Sequence, residues 1–177
     1  MSVNVSVRQL DDDNMVLVTA AAIRANKLDA SLITLEITET ALMRSPDATA
    51  KQLSALKRLG VQIAIDDFGT GYSSLAYLQR FPVDCLKIDR AFVNAMTDSS
   101  ESLALLHTLV QLGKLLGLDT VAEGVETHAQ LQGLRDEQID VVQGFLLSRP
   151  ESADAIDRRL SSIPATASEL VEAAASN

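Results

Sequence analysis

Residues 61–75 hold the densest chemistry in the chain. An apolar run over 61–65 leads directly into Asp66 and Asp67, followed by Phe68, Gly69, Thr70 and Gly71. Two adjacent carboxylates at the end of a strand cost free energy if they are buried without partners. A chain that keeps them there is binding a cation or moving protons. A plain strand-to-helix turn accounts for Asp67 and the glycines, through local hydrogen bonds and positive φ. It does not account for the acids and amides that close the other strand-like runs: Asn4, Glu36, Lys87 with Asp89, Glu123 with Glu126, and Gln143.

Oxygen donors of this kind suit Mg²⁺ or Mn²⁺ and do not suit zinc. Glu36, Asp66 and Asp67 can carry the charge needed for one or two such ions, which could hold a phosphodiester and acidify a water. Lys87 is the lone cation among these acids. It could orient that water or stabilise charge building on a phosphate. Its structural alternative is an ion pair with Asp66 or Glu123. Glu123 is a candidate general base.

The elements that must position these residues follow from hydrophobic period. Alternation predicts a strand over 2–7, with Val3, Val5 and Val7 on one face. Residues 11–28 read as a helix with Met15, Val18, Ala22 and Ile23 inward, and 32–37 as a strand with Glu36 and Glu39 at its exit. After a short helical piece at 41–44 comes a helix behind Ser45-Pro46, with Ala50, Leu53, Leu56 and Leu59 inward and Gly60 as its stop. Ser73 reads as the N-cap of a helix carrying Leu75, Leu78 and Phe81. Strands at 84–88, 119–122 and 140–142 alternate with helices at 91–96 and 100–116, one capped by Thr127, and a last one begun by Ser148-Arg149-Pro150. The helix at 100–116 directs Leu103, Leu106, Leu109, Val110 and Leu112 inward. His107 and His128 read as surface residues. Strand and helix therefore alternate six times, the pattern of a parallel sheet with right-handed crossovers. In such folds the carboxyl ends of the strands carry function. Residues 1–160 form the expected domain, and the Ser-, Ala- and Glu-rich stretch 161–177 a flexible tail.

Composition bounds the readings. A chain of 177 residues with net charge −9 and 47% hydrophobic content is one soluble domain with a sizeable core. The acidity argues against a nucleic-acid polymer or an anionic membrane as partner. One small phosphate ligand stays compatible if metal ions carry the positive charge. The single Cys85 excludes an internal disulfide and a thiolate zinc cluster, and its strand context suits an inert thiol. The longest apolar run, 16–23, is too short to span a bilayer, so the expected compartment is the cytoplasm. Asp67-Phe68-Gly69 lacks a kinase catalytic loop before it, and Gly69-x-Gly71 lacks the third glycine of a dinucleotide fingerprint.

Six motifs in order resemble the EAL-domain family: Ser-Val-Asn-Val-Ser, Leu-Glu-Ile-Thr-Glu, Ile-Asp-Asp-Phe-Gly-Thr-Gly-Tyr-Ser-Ser-Leu, Leu-Lys-Ile-Asp-Arg, Ala-Glu-Gly-Val-Glu-Thr, and Val-Gln-Gly-Phe with Ser-Arg-Pro. They run from Ser2 to Pro150. The resemblance implies a TIM-barrel-like α/β fold and metal-dependent hydrolysis of cyclic di-GMP to the linear dinucleotide, using Mg²⁺ or Mn²⁺. It implies that Asn4, Glu36, Asp66 and Asp67 are metal ligands. Lys87 would contact the water or a metal, and Glu123 would ligate or act as base. Gln143 would sit near the metal site, and Glu126 would support it. Glu39 would anchor the loop 67–74 with its Gly69, Thr70 and Gly71, and Asp89 would support substrate and loop. The same loop would carry a homodimer contact.

The sequence departs from the family at one point: it contains no Glu-Ala-Leu, whose glutamate is a metal ligand in the family. Six βα units stand where the family has eight, so an N-terminally truncated, open barrel with exposed sheet edges is expected. Reduced activity follows from the lost ligand. Three readings compete: an active phosphodiesterase, a nucleotide-binding or dimerising regulatory module without turnover, and an inactive fragment.

Overall fold

A computed structural model describes residues 1–71 and 78–162. Six parallel strands, β1 (Ser2–Asn4), β2 (Thr34–Thr38), β3 (Gln62–Phe68), β4 (Cys85–Ile88), β5 (Asp119–Ala122) and β6 (Val141–Val142), pair in sequence order. The sheet is an incomplete TIM-barrel-like fold, with β1 and β6 at its two edges. The contacts divide the chain into Met1–Leu147 and Ser148–Asn177.

Register explains how the sheet sorts its side chains. Asn4 lies opposite Glu36, Glu36 opposite Ala64, Ala64 opposite Cys85, and Cys85 opposite Asp119. Strand side chains alternate between faces, so these residues form one row on one face, and Lys87, Val121 and Val141 form the next row. The opposite face supplies Leu35, Ile37, Ile63, Ile65, Leu86, Ile88 and Ala122, all buried beneath the helices. Burying each large aliphatic side chain contributes about 1.5–3 kcal/mol before conformational entropy is counted.

The covering helices are α1 (Val7–Leu10), α2 (Met15–Ala25), α3 (Glu39–Leu42), α4 (Pro46–Lys57), α5 (Arg90–Ala95), α6 (Ser100–Leu116) and α7 (His128–Asp136). Leu53 and Leu56 of α4, Leu106, Leu109 and Val110 of α6, and Leu134 of α7 are buried. The caps follow sequence. Thr127 and Gln130 form a reciprocal capping box on α7, and Gly117 closes α6. The second unit contains α8 (Ala153–Ser162), where Arg159 bonds Glu151 at 3.1 Å and Ser148 at 2.9 Å.

Several boundaries differ from expectation. The first strand ends at Asn4 because Ser6 caps α1, accepting from the Gln9 amide while Gln9 accepts from the Ser6 amide at 2.9 Å. Local side-chain bonds outcompete the alternating pattern there. Residues 11–28 are not one helix: Asp12 accepts from the Asn14 amide at 2.8 Å and the chain turns before α2 starts. Val18 is 65% exposed and Ala22 is also exposed, so α2 presents a narrower buried face than its apolar content suggests. Leu103 likewise lies at the surface of α6. The last helix begins at Ala153, past Pro150. The expected N-cap Ser73 and core residue Leu75 lie outside the described residues, as does the expected tail from residue 163; residues 161 and 162 belong to α8.

Candidate metal and phosphodiester site

The site forms where β3 breaks its register. Ile65 pairs with Leu86, but Phe68 pairs with Ile88, so one extra residue is accommodated at Asp66-Asp67. Asp67 takes up the bulge in the left-handed region at φ 53°. That conformation is costly for most residues, though Asp tolerates it better than most. The bulge turns both carboxylates toward one side. Carboxylate oxygens of Asp66, Asp67 and Glu123 lie within 4.8 Å of one another, a spacing that fits a shared cation.

Lys87 organises the rest. Its Nζ lies 2.8 Å from Glu36, 2.7 Å from Asp66 and 2.6 Å from Glu123, and its side chain is only 6% exposed. Burial opposes its charge, yet the hydrogen bonds it donates to Asp66, Glu123 and Glu36 outweigh burial and raise its pKa above the ordinary lysine value. Three carboxylates, Glu36, Asp66 and Glu123, pair with this one ammonium, and Asp67 adds a fourth acid beside Asp66 and Glu123. Burial, then the charges of Asp66 and Asp89, push the Asp67 carboxyl up. Burial also pushes Glu123 up, against the opposing bond from Lys87. This is the electrostatic signature of a cluster built to receive positive charge.

The remaining expected residues are placed as follows. Glu39 is buried and its Oε2 accepts from the amides of Gly69 at 3.0 Å and Gly71 at 3.3 Å, tying the loop after β3 to α3. Thr70 Oγ1 donates to the Asp67 carbonyl at 2.7 Å and stabilises the bulge. Asp89 caps α5 by accepting from the Ala91 amide at 2.8 Å. Asp89, Glu126 and Gln143 line one cavity of about 310 Å³ together with Asp67 and Glu123. Asn4 is exposed beside Glu36 in register, and it also lines a separate cavity of about 170 Å³ with Gln9 and Met15. Cys85 sits in the row below Lys87, and burial pushes its thiol up to about 12, an unreactive form.

Two supporting features escaped the sequence reading. Gln130 is buried, accepts from the Glu126 amide at 2.8 Å and donates to Asn94 at 3.1 Å, holding the loop after β5. The Thr-x-x-Gln spacing from Thr127 is a signal that could have found it. Arg90 reaches the wall of the 310 Å³ cavity, for which no local pattern gives warning.

A parallel α/β half-barrel with a carboxylate–lysine cluster at the carboxyl ends of its strands puts its polar groups where barrel folds carry their functional sites. Comparison with known proteins identifies the family. A family model described as the EAL domain matches residues 1–150, and the chain belongs to that family. It is 44% identical over 154 residues to MucR of Pseudomonas aeruginosa, a bifunctional diguanylate cyclase/cyclic di-GMP phosphodiesterase, covering 87% of this chain and 22% of MucR. The chain thus spans 18–28% of the length of these curated relatives. Among solved structures, the PaMucR phosphodiesterase in complex with c-di-GMP superposes with a TM-score of 0.84 at 44% identity, covering 88% of this chain and 63% of that one. A manganese/cyclic di-GMP complex of Klebsiella pneumoniae BlrP1 superposes with a TM-score of 0.78 at 35% identity, covering 84% and 38% respectively. Among the described residues, no helix is long and apolar enough to cross a membrane.

Proposed function

We propose that the chain is a divalent-metal-dependent phosphodiesterase domain that adds water across one phosphodiester bond of cyclic di-GMP and releases the linear dinucleotide. The observation that carries this reading is the convergence of Asp66, Asp67 and Glu123 at the β3 bulge, beside a buried lysine. The donor set is all oxygen, which suits Mg²⁺ or Mn²⁺. The manganese complex of a 35% identical structural neighbour supports the same choice.

Asp66 and Asp67 would hold the ion, with Glu36 and Asn4 contributing from the adjoining strands, and Glu123 would either complete that set or serve as base. When bound, a divalent ion supplies Lewis acidity at the phosphodiester. Glu123, with its raised pKa, is suited to accept a proton from the attacking water. Lys87 would hold the carboxylates in place and stabilise charge developing on phosphate oxygens. Gln143 and Glu126, on the wall of the same cavity, would orient the substrate, and Asp89 would fix the start of α5 beneath it. Glu39 would keep the loop of Gly69, Thr70 and Gly71 in the conformation that presents Asp67 and would transmit contact with a second copy at loop 67–74. Residues 1–160 would make up the phosphodiesterase domain, working in the cytoplasm.

A second reading, nucleotide binding without turnover, is favoured by the three-way pairing of Lys87, which engages Glu36, Asp66 and Glu123 at once. Chromatography of cyclic di-GMP incubated with the purified chain in Mn²⁺ tests the choice. The phosphodiesterase reading expects linear dinucleotide that disappears with EDTA and returns with added Mn²⁺. Unchanged nucleotide in Mn²⁺ would move the chain to the binding class.

A further inference from the structure

The cavity beside the carboxylate cluster has a wall the cluster does not explain. Four acids line it, Asp67, Asp89, Glu123 and Glu126, and the cation lining it is Arg90. Arg90 is the first residue of α5 and is exposed. Among the described residues no carboxylate pairs with its guanidinium, although acids line the same cavity, whereas Lys87 sits at the cluster, engaged with Glu36, Asp66 and Glu123. The backbone makes room for it. Gly124 adopts φ 70°, and a Cβ there would stand 2.5 Å from the Arg90 Cβ. Glycine therefore lets the β5 loop close against the arginine stem, fixing the base of the side chain at the cavity edge.

A cyclic dinucleotide carries two phosphates. If one lies at the cluster of Asp66, Asp67 and Glu123, the other lies elsewhere, in a cavity whose charged groups besides Arg90 are all acids. Guanidinium is the side chain best shaped for a phosphate, presenting paired donors and a charge that never titrates. We infer that Arg90 is a substrate-positioning residue that binds the second phosphate of the cyclic dinucleotide, the one not undergoing hydrolysis. The inference rests on the phosphodiesterase-site reading but concerns binding, so it can be tested apart from turnover.

The test is equilibrium binding of cyclic di-GMP and cyclic di-AMP in Ca²⁺ to the parent, Arg90→Gln and Arg90→Lys, at two salt concentrations, with turnover in Mn²⁺ measured separately. Arg90 is exposed and outside the core, and melting curves of the variants check folding. The expected result is a rise in Kd on the order of tenfold or more for Arg90→Gln, as for loss of a charged hydrogen bond. Arg90→Lys should recover part of the loss. Both nucleotides should be affected alike, the salt dependence should become shallower, and KM should rise more than kcat falls. Unchanged affinity and salt slope would overturn the inference. A selective loss of guanine over adenine would also overturn it, by assigning Arg90 to the base edge. A parent that binds without turnover sinks only the phosphodiesterase reading; a parent that binds neither nucleotide sinks both.

Discussion

At the scale of single residues, the site is a compromise between charge and strain. Lys87 and Glu36 are 5% and 8% exposed, so neither can shed its charge cost to water. Removing the ammonium leaves buried carboxylates facing one another. Lys87→Met should therefore cost about 3–5 kcal/mol in urea unfolding without metal, as for breaking a buried ion pair from one side. A loss under about 1 kcal/mol would mean that the acids relax away and the lysine is no organiser. Asp67 is strained as well as crowded, since it holds φ 53° while burial and then neighbouring acids raise its pKa. Asp67→Gly should raise the melting temperature by the equivalent of about 0.5–1 kcal/mol while weakening Mn²⁺ binding. Calorimetric titration with Mn²⁺ and a thermal melt on the same sample separate the two effects. The acids themselves were legible in sequence, because an apolar strand running into Asp66-Asp67 has few structural explanations. The left-handed turn of Asp67 was not, because it arises from the register of β3 against β4, and no local pattern encodes a neighbour's register.

At the scale of elements, the ends of β5 and β6 are held by backbone contact and a few polar bonds. A Cβ at Gly144 would stand 2.1 Å from the Val125 carbonyl oxygen, and the Val125 amide donates to the Gln143 carbonyl at 3.0 Å. Gly144→Ala should separate these loops and cost about 1–3 kcal/mol, with Gln143 displaced from the cavity wall. Urea unfolding of the variant checks the cost. At the other end, Asp140 accepts from the Thr120 hydroxyl at 2.6 Å and the Thr120 amide at 2.8 Å, and these bonds hold its carboxyl below the usual carboxylate range. The folded pKa is depressed, so the stabilisation is complete above about pH 4 and is lost as pH falls through the folded value. Because the carboxyl is largely solvated, the effect is under about 1 kcal/mol. The stability gap between the parent and Asp140→Asn should be steady from pH 7 to pH 5 and narrow toward pH 3. A gap that widens toward acid would have the sign wrong. The order of the six strands was readable from period, and α6 and β5 occur at their expected bounds. The N-terminal boundaries were not, because Ser6 with Gln9 and Asp12 with Asn14 form local bonds that cut across the apolar pattern. Val18 and Leu103 were read as core because helical spacing shows that residues share a face, not how far the covering sheet extends beneath it.

At the scale of the whole molecule, the six-stranded sheet has two edges, β1 and β6. Val3 on β1 is 41% exposed and Val141 on β6 is 51% exposed, matching the expectation of exposed sheet edges. Unpaired strand edges template association. The chain should self-associate with rising concentration in sedimentation velocity, and Val3→Lys should weaken the association. Identical sedimentation of the two would remove β1 as the contact. The open barrel was legible by counting six βα units against eight in the resembled family. The 310 Å³ cavity, with Arg90 on its wall, was not, because it exists only once β3, β4, β5 and β6 stand side by side. The proposed function rests on one claim, that the carboxylates gathered at the strand ends carry out metal-dependent hydrolysis. Turnover of cyclic di-GMP in Mn²⁺ by the purified parent and by Glu123→Gln tests it most directly. The account predicts linear dinucleotide from the parent and at least a hundredfold less from the variant, on the order expected for loss of a general base. Equal turnover by both, or none by a folded parent, would contradict it.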